Sequence, residues 1–341
     1  MGVQLGNLIR GREIEREALT GRVVSVDAYN WLYQFVTIIR DRATGEPLTD
    51  ERGRVTSHLS GIFYRTSKLI GSGIKTVWVF DGRPPEFKRV VRERAEARAE
   101  AEERLKKAVE AGDLEEIRVA SQQAAAVTEE MIEQAKTLLK LMGIPVVQAP
   151  SEGEAQCAHM CRTGKVYSTA SQDFDSLLFG SSRLVRNLSI TGRKKMPGKN
   201  EYVRVRPELI ELEGALASLE LTREQLVILS MLVGTDYNPG IKGIGPKRAL
   251  KIVKEAGTLE AVLRAVDWDS QFEGDPVPAE TIFNFFMNPP VDESVTISFG
   301  KPDREGILKF LVDDFGFSEE RVSRVLDEIS SASQTSLLSF G

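Results

Sequence analysis

The chain has 341 residues, 41% of them hydrophobic, and a formal net charge of −5. That length holds about two domains, the apolar fraction supplies a buried core, and the negative balance argues against nucleic-acid binding by uniform positive charge, leaving only local basic fields. No apolar run reaches the roughly 20 residues of a membrane span, and the N-terminus lacks the apolar region of a secretory signal. Met1-Gly2 resembles the start of a myristoylation signal, but Gly6 stands where Ser or Thr is needed. An intracellular protein with no membrane partner is expected.

Val23-Val24-Ser25-Val26 is a strand candidate that ends at Asp27, and Ala28 to Arg40 follows as a helix. Arg54 to Gly71 reads as an amphipathic helix with Leu59, Ile62, Phe63, Leu69 and Ile70 on its apolar side. Thr76 to Phe80 is a second strand, ending at Asp81-Gly82. After Pro84-Pro85, the stretch 86–139 is rich in Ala, Glu and Arg, with Gly112 as its one strong break. Its helical propensity is high. Lys88 to Glu103 has few large apolar residues after Val91, so it reads either as a solvated helix or as a flexible lid.

Ile144 to Val147 is a third strand candidate, followed by Ala149-Pro150-Ser151-Glu152-Gly153-Glu154. Ser151 and Glu154 have capping-box spacing for a helix running to about Arg162. That helix carries Cys157, His159 and Cys161. His159 does not share a face with the two cysteines, so buried free thiols are favoured over a zinc site. Val166 to Ala170 is the next strand, ending in Gln172-Asp173-Phe174-Asp175. Ser181 to Lys199 reads as an exposed basic loop or hairpin. Glu224 to Leu232 is an apolar helix ending at Gly234-Thr235-Asp236.

The turn from Gly240 to Gly245 then opens a helix, Pro246 to Glu255. Its amides, with Lys247 and Arg248, suit a phosphate backbone. From 259 to 329 helices alternate with loops at Gly274–Pro276 and Pro289-Pro290, and the Ser-rich tail 330–341 is expected to be disordered by itself.

Four strand ends thus carry six acids. One acid at a helix start is explained by capping. Four such ends on a parallel α/β sheet gather where ligands bind, and their carboxylates repel unless hard cations such as Mg²⁺ or Mn²⁺ are bound.

These residues together resemble the flap endonucleases, structure-specific 5′ nucleases of archaea and eukaryotes. The resemblance runs over nearly the whole chain, through Val26-Asp27-Ala28, Phe63-Tyr64-Arg65-Thr66, Val79 to Pro85, Ala149 to Ala155, Gln172 to Asp175, Gly234 to Tyr237 and Gly243 to Ala249. It implies an α/β fold with a mostly parallel sheet flanked by helices, a helical arch, a helix–turn–helix DNA-binding element and a flexible tail. The implied segments are a nuclease region 1–98, an arch 99–115, a second nuclease region 116–258, a helical region 259–329 and a tail 330–341.

By the same resemblance Asp27, Asp81, Glu152, Glu154, Asp173, Asp175 and Asp236 are metal-site acids. Lys88 and Arg94 are the basic pair of the arch, with Arg94 in register only after a one-residue gap. Tyr33 stacks on a base. Arg40, Arg65, Glu152, Gly234, Asp236, Gly243, Gly245, Lys247 and Arg248 contact DNA, with K⁺ at the glycine turn. The implied activity is two-metal hydrolysis with Mg²⁺ or Mn²⁺, endonucleolytic at 5′ flaps with an associated 5′–3′ exonuclease, in Okazaki-fragment maturation and repair. The products carry a 5′-phosphate and a 3′-hydroxyl. A monomer is implied, cytoplasmic and nucleoid-associated in an archaeon, nuclear in a eukaryote, with the initiator Met removed.

Gln334, Leu337 and Phe340 resemble the peptide by which replication proteins bind the sliding clamp, though Gly341 stands where a second aromatic is expected. Two other readings compete. Asp173-Phe174-Asp175 suggests an aspartate-nucleophile phosphatase, but that chemistry wants its Asp-x-Asp after the first strand, where this chain has Asp27-Ala28-Tyr29. A junction-binding protein that no longer cuts is disfavoured by the presence of all seven acids.

Overall fold

The computed structural model describes residues 2–41, 43–88, 126–190, 193–195, 202–272 and 277–338, with a few residues between 100 and 119; side chains at 193–195, 202–204 and 332–338 are outside the description. The central feature is a seven-stranded sheet of Arg12–Glu13 (β1), Val23–Asp27 (β2), Lys75–Phe80 (β3), Val146–Gln148 (β4), Ser168–Ala170 (β5), Arg183–Arg186 (β6) and Glu208–Glu211 (β9), in the order β1-β9-β6-β5-β2-β3-β4. Strands Arg193–Lys195 (β7) and Tyr202–Arg204 (β8) form a separate antiparallel pair. β5 and β6 are parallel, while β9 is antiparallel to both β6 and β1. β3 and β4 advance together: Trp78 N–H donates to Pro145 O, and further along Ala149 N–H donates to Phe80 O. The expected, mostly parallel α/β sheet is present, with an antiparallel edge that periodicity did not reveal.

The described chain forms two compact units, discontinuous in sequence: Met1–Glu15, Val79–Val90 and Gln148–Val295 in one, Arg16–Trp78, Val91–Val147 and Thr296–Gly341 in the other. The first has its core around helices Gly153–Arg162 (α5), Asp175–Leu178 (α6), Arg223–Val233 (α8) and Ala279–Met287 (α11). Leu177, Leu178, Leu226, Leu229, Ile282 and Phe286 are fully buried there. α8 begins with a capping box, Thr222 Oγ1 accepting from Gln225 N–H while the Gln225 side chain accepts from Thr222 N–H. Cys157 and Cys161 are buried free thiols on α5.

The second unit packs Ala28–Ile38 (α1), Ser57–Gly61 (α2), Ser67–Gly71 (α3), Glu129–Leu141 (α4) and Glu319–Leu338 (α13). Trp31, Phe35 and Trp78 form its aromatic centre, with Trp31 edge-on to Trp78 at 5.4 Å between ring centroids. A π-helical segment, Ile62–Thr66, joins α2 to α3. The helix expected from Arg54 starts only at Ser57. Arg54 is held by Asp50, Nε to Oδ2 at 2.7 Å, and Val55 bridges Thr49, so that stretch is a turn.

One further expectation changes. Arg183 and Arg186 are in a sheet strand rather than an exposed loop or hairpin, and Arg186 donates to Glu208 Oε2 at 3.1 Å and to Gln172 O at 3.0 Å. The helix α13 runs past Ser330 to Leu338, and Ser330 and Ser331 each donate to the carbonyl four residues back. The Lys88–Glu103 lid, Gly112 and the Gly274–Pro276 loop lie largely or wholly outside the described residues, as do the side chains of Gln334, Leu337 and Phe340.

Candidate active site

In the first unit the acids leave the sheet at the ends of β3, β4 and β5 and after α8. Asp81 follows β3 and accepts Gly153 N–H on Oδ1 at 2.6 Å. The contact explains the glycine, since a Cβ at 153 would stand 2.7 Å from that same oxygen. Gly82 N–H donates to Ser151 O at 2.6 Å, lacing the loop after β3 to the loop after β4. This overturns the expected cap: α5 begins at Gly153 with Glu152 at the N-cap and no side-chain cap bond. Glu152 is drawn elsewhere, to Lys88.

Lys88 Nζ lies 2.7 Å from Glu152 Oε2, with side chains only 13% and 8% exposed. Burial opposes the lysine's charge, but Glu152, Asp81 and Asp236 outweigh it and raise its pKa. Burial also pushes the Glu152 carboxyl up. Lys88 pulls it down, and Asp81 and Asp236 push it further up. Burial is the largest influence on both groups, and beyond it Asp81 and Asp236 raise the lysine and the carboxyl alike. Glu152 Oε1 is buried without a hydrogen-bond partner among the described residues. A buried acceptor left in that state is destabilising.

Asp175 is buried at the start of α6 and accepts Val3 N–H on Oδ1 at 2.8 Å. Gly2 presses on it so closely that a Cβ there would stand 2.6 Å from both carboxylate oxygens. Burial, with the charges of Asp236 and Asp173, pushes the Asp175 carboxyl up to about 7. Glu154 Oε1 accepts from Ser171 Oγ at 3.2 Å. The Tyr237 phenol is kept protonated far above its ordinary range by burial and by Glu152, Asp175, Asp236 and Glu154.

The first unit therefore brings Asp81, Glu152, Glu154, Asp173, Asp175, Asp236 and Lys88 into one electrostatic neighbourhood. Among the described residues no three such side chains are drawn tight enough to close on an ion; several oxygens face Lys88, Gly153, Ser171 and Val3 instead. The donor set still fits a hard divalent cation. It consists of carboxylates only, one with an orphaned buried oxygen and one whose proton substitutes for missing positive charge.

Asp27 belongs to the second unit, where it is buried and caps α1 through Asn30 N–H at 3.1 Å. Tyr33 is 38% exposed on the same helix. Arg40 donates to Thr37 O and Gly45 O, and the Arg65 guanidinium lies 5.3 Å from the centre of the Phe35 ring. Arg94 lies outside the described residues.

In the first unit again, Gly234 ends α8 at φ 114°. Asn238 Nδ2 donates to Met231 O at 2.7 Å, and Ile241 N–H donates to Leu232 O. Ile241 and Ile244 are buried, whereas Gly243, Gly245, Lys247 and Arg248 are exposed where helix Pro246–Ala256 (α9) begins. Gly243 has φ 81°, and no described atom lies within 4 Å of where its Cβ would stand.

Sequence reasoning missed three contributors. Phe87 packs edge-on against Tyr237 and Phe285, at 5.6 and 5.4 Å, and so seats the segment that carries Lys88. Tyr237 was noted only as part of a motif. The Val3 amide could have been suspected only from the glycine at position 2.

A sheet edge carrying such a cluster is the hallmark of a class. Residues 1–102 match the family model of the XPG N-terminal domain and residues 143–236 that of the XPG I-region, so the chain is of the XPG nuclease class. Flap endonuclease 1 of Thermococcus onnurineus is 54% identical over 334 residues, covering 97% of this chain and 95% of the relative. That of Archaeoglobus fulgidus is 50% identical over 336 residues, covering 98% of each. Among solved structures, flap endonuclease-1 from Methanococcus jannaschii is 39% identical with a TM-score of 0.76, over 98% of this chain and 100% of that one. The catalytic core of Rad2 in complex with DNA substrate is 26% identical with a TM-score of 0.70, over 96% and 100%. The chain belongs to the flap endonuclease 1 family. It is a structure-specific flap endonuclease of DNA replication and repair, a metal-dependent enzyme that hydrolyses DNA.

Proposed function

We propose that this enzyme cuts branched DNA at the base of a 5′ flap, with an associated 5′–3′ exonuclease activity, using two Mg²⁺ ions held by Asp27, Asp81, Glu152, Glu154, Asp173, Asp175 and Asp236. The observation that carries this reading is the over-charged carboxylate cluster around Lys88, in which Glu152 Oε1 has no partner among the described residues and Asp175 retains its proton to about pH 7. When bound, the metals supply Lewis-acid activation of water and stabilisation of the attacking and leaving oxygens. Mn²⁺ has similar ligand preferences and substitutes.

The chain's own residues do the rest. Lys88, poised at Glu152, offers its ammonium to the scissile phosphate, and Arg94 adds a second positive charge as negative charge grows on the phosphoryl oxygens. Tyr33 stacks on the base beside the cut. Arg40 and Arg65 face the backbone. The turn containing Gly234, Gly243 and Gly245, with Lys247 and Arg248, holds the duplex through phosphates and a K⁺ ion, without reading sequence. The arch, 99–115, selects a free single-stranded 5′ end between the nuclease regions 1–98 and 116–258. The helical region 259–329 supports them, and the tail 330–341 recruits the sliding clamp through Gln334, Leu337 and Phe340. We infer a monomer that acts in the archaeal cytoplasm, at the nucleoid, in keeping with its archaeal relatives. Among the described residues no helix is long and apolar enough to cross a membrane.

The test is cleavage of an end-labelled 5′-flap duplex with Mg²⁺. One dominant cut at the flap base, leaving 5′-phosphate and 3′-hydroxyl ends, is expected. Tight binding without cleavage under Mg²⁺ or Mn²⁺ would support a pure junction binder, and a stable phosphoaspartate would support the phosphatase.

A further inference from the structure

Helix α1 contains no charged residue between Ala28 and Ile38. It buries Trp31, Leu32, Phe35 and Val36 and leaves Tyr29 37%, Tyr33 38% and Ile38 52% exposed. Those three, with Phe299, are the exposed large hydrophobic side chains among the described residues, so most of that surface is concentrated on one short helix. Tyr29 and Tyr33 are four residues apart, hence neighbours on one face, about 6 Å apart along the helix axis. Tyr29 lies two residues after Asp27, the acid that caps the helix. At the other end, the Arg40 guanidinium is within electrostatic reach of the Tyr33 phenol.

Exposed aromatic rings in line, with a cation beside them, are the recognition chemistry of unpaired nucleic acid: bases stack on the rings and the cation tracks the phosphates.

We propose that Tyr29 is a second base-stacking residue, and that Tyr29 and Tyr33 together form a two-ring platform for adjacent unpaired bases at the flap junction. The proposal rests on the reading that Tyr33 stacks on a base next to the scissile phosphate. Tyr29, one helical turn nearer Asp27, takes the neighbouring base and limits how far the strand can slide past the acids.

The experiment uses full-length protein and 5′-flap DNA carrying 2-aminopurine at one or the other of the two nucleotides flanking the flap base. Fluorescence and affinity are read in chelator, so that nothing is cut. Tyr29→Leu should bind about tenfold more weakly, lose the fluorescence change at one probe position and keep it at the other. Tyr33→Leu should show the opposite probe pattern. Tyr29→Phe should behave as wild type, because stacking uses the ring and not the hydroxyl. Unchanged thermal unfolding of Tyr29→Leu certifies the fold at this exposed position. Tyr29→Leu with both probe signals intact and affinity within twofold of wild type overturns the proposal, and so does an equal loss in Tyr29→Phe. If Tyr33→Leu leaves both signals unchanged while Tyr29→Leu removes one, the reading of Tyr33 fails and the assignment of Tyr29 stands.

Discussion

Asp175 makes the stability of the metal-free protein depend on pH in a direction opposite to that of most carboxylates. Its carboxyl rises from an ordinary value of 3.8 to about 7 in the folded chain, through burial first and then through Asp236 and Asp173. Between those two pH values the native state holds a proton that the unfolded chain has released. Stability contributed by this group must therefore fall as pH rises through that window, and the loss is complete above about 7. At about 1.4 kcal/mol per tenfold change in ionisation constant, the upper bound is about 4 kcal/mol. Interaction with the neighbouring carboxylates reduces it, and we expect about half.

Mg²⁺ replaces the proton as the source of positive charge. Its stabilising effect should reach about 2.7 kcal/mol at a hundredfold excess over Kd and should be much larger at pH 8 than at pH 5. Urea unfolding at both pH values, with Mg²⁺ or chelator, measures this. Asp175→Asn should flatten the pH dependence of the metal-free protein and shrink the Mg²⁺ effect at pH 8. Equal stabilisation by Mg²⁺ at the two pH values, or an Asn variant with the wild-type pH dependence, would refute the reasoning.

Lys88→Ala should slow single-turnover cleavage by about 10²–10³-fold with little loss of flap affinity. It should also move the acid limb of the rate profile to higher pH, since Lys88 holds the Glu152 carboxyl down against burial; an unmoved limb would argue against the pair seen here. Arg94→Ala should lower the cleavage rate far more than the affinity, because its charge matters most in the transition state; quench-flow and gel-shift measurements on one substrate separate the two effects. Deleting Gln334 to Gly341 should leave flap cutting intact and remove stimulation by the clamp, and stimulation that survives the deletion would sink the tail assignment.

Much of the site was legible because its acids sit at positions local patterns mark. Asp27, Asp81 and the Asp173–Asp175 pair each follow a short apolar run, and those runs are strands β2, β3 and β5. The glycine turn before α9 was legible for a similar reason, since Gly243 needs a positive φ and Pro246 favours a helix start. What stayed hidden depends on contacts between distant stretches. The Ser151 cap failed because Lys88, 64 residues away, holds Glu152. The antiparallel edge escaped notice because β1 and β9 are short and pair over 195 residues or more, Glu13 with Glu208 and Arg12 with Leu209. Arg183 and Arg186 looked like loop cations because charge within one stretch says nothing of the distant partners that receive it, Glu211 for Arg183 and Glu208 and Gln172 for Arg186. Nor does any local signal disclose that Gln156 on α5 clamps the backbone of Asp292 with two hydrogen bonds.

The central claim is that the carboxylate cluster performs the cutting, and that Asp173 within it is not needed for holding DNA. Asp173→Ala tests it most directly, assayed on a labelled 5′ flap with Mg²⁺ for both binding and single-turnover cleavage. The account predicts flap affinity close to wild type and no detectable cleavage, whereas cleavage by Asp173→Ala at the wild-type rate would contradict it.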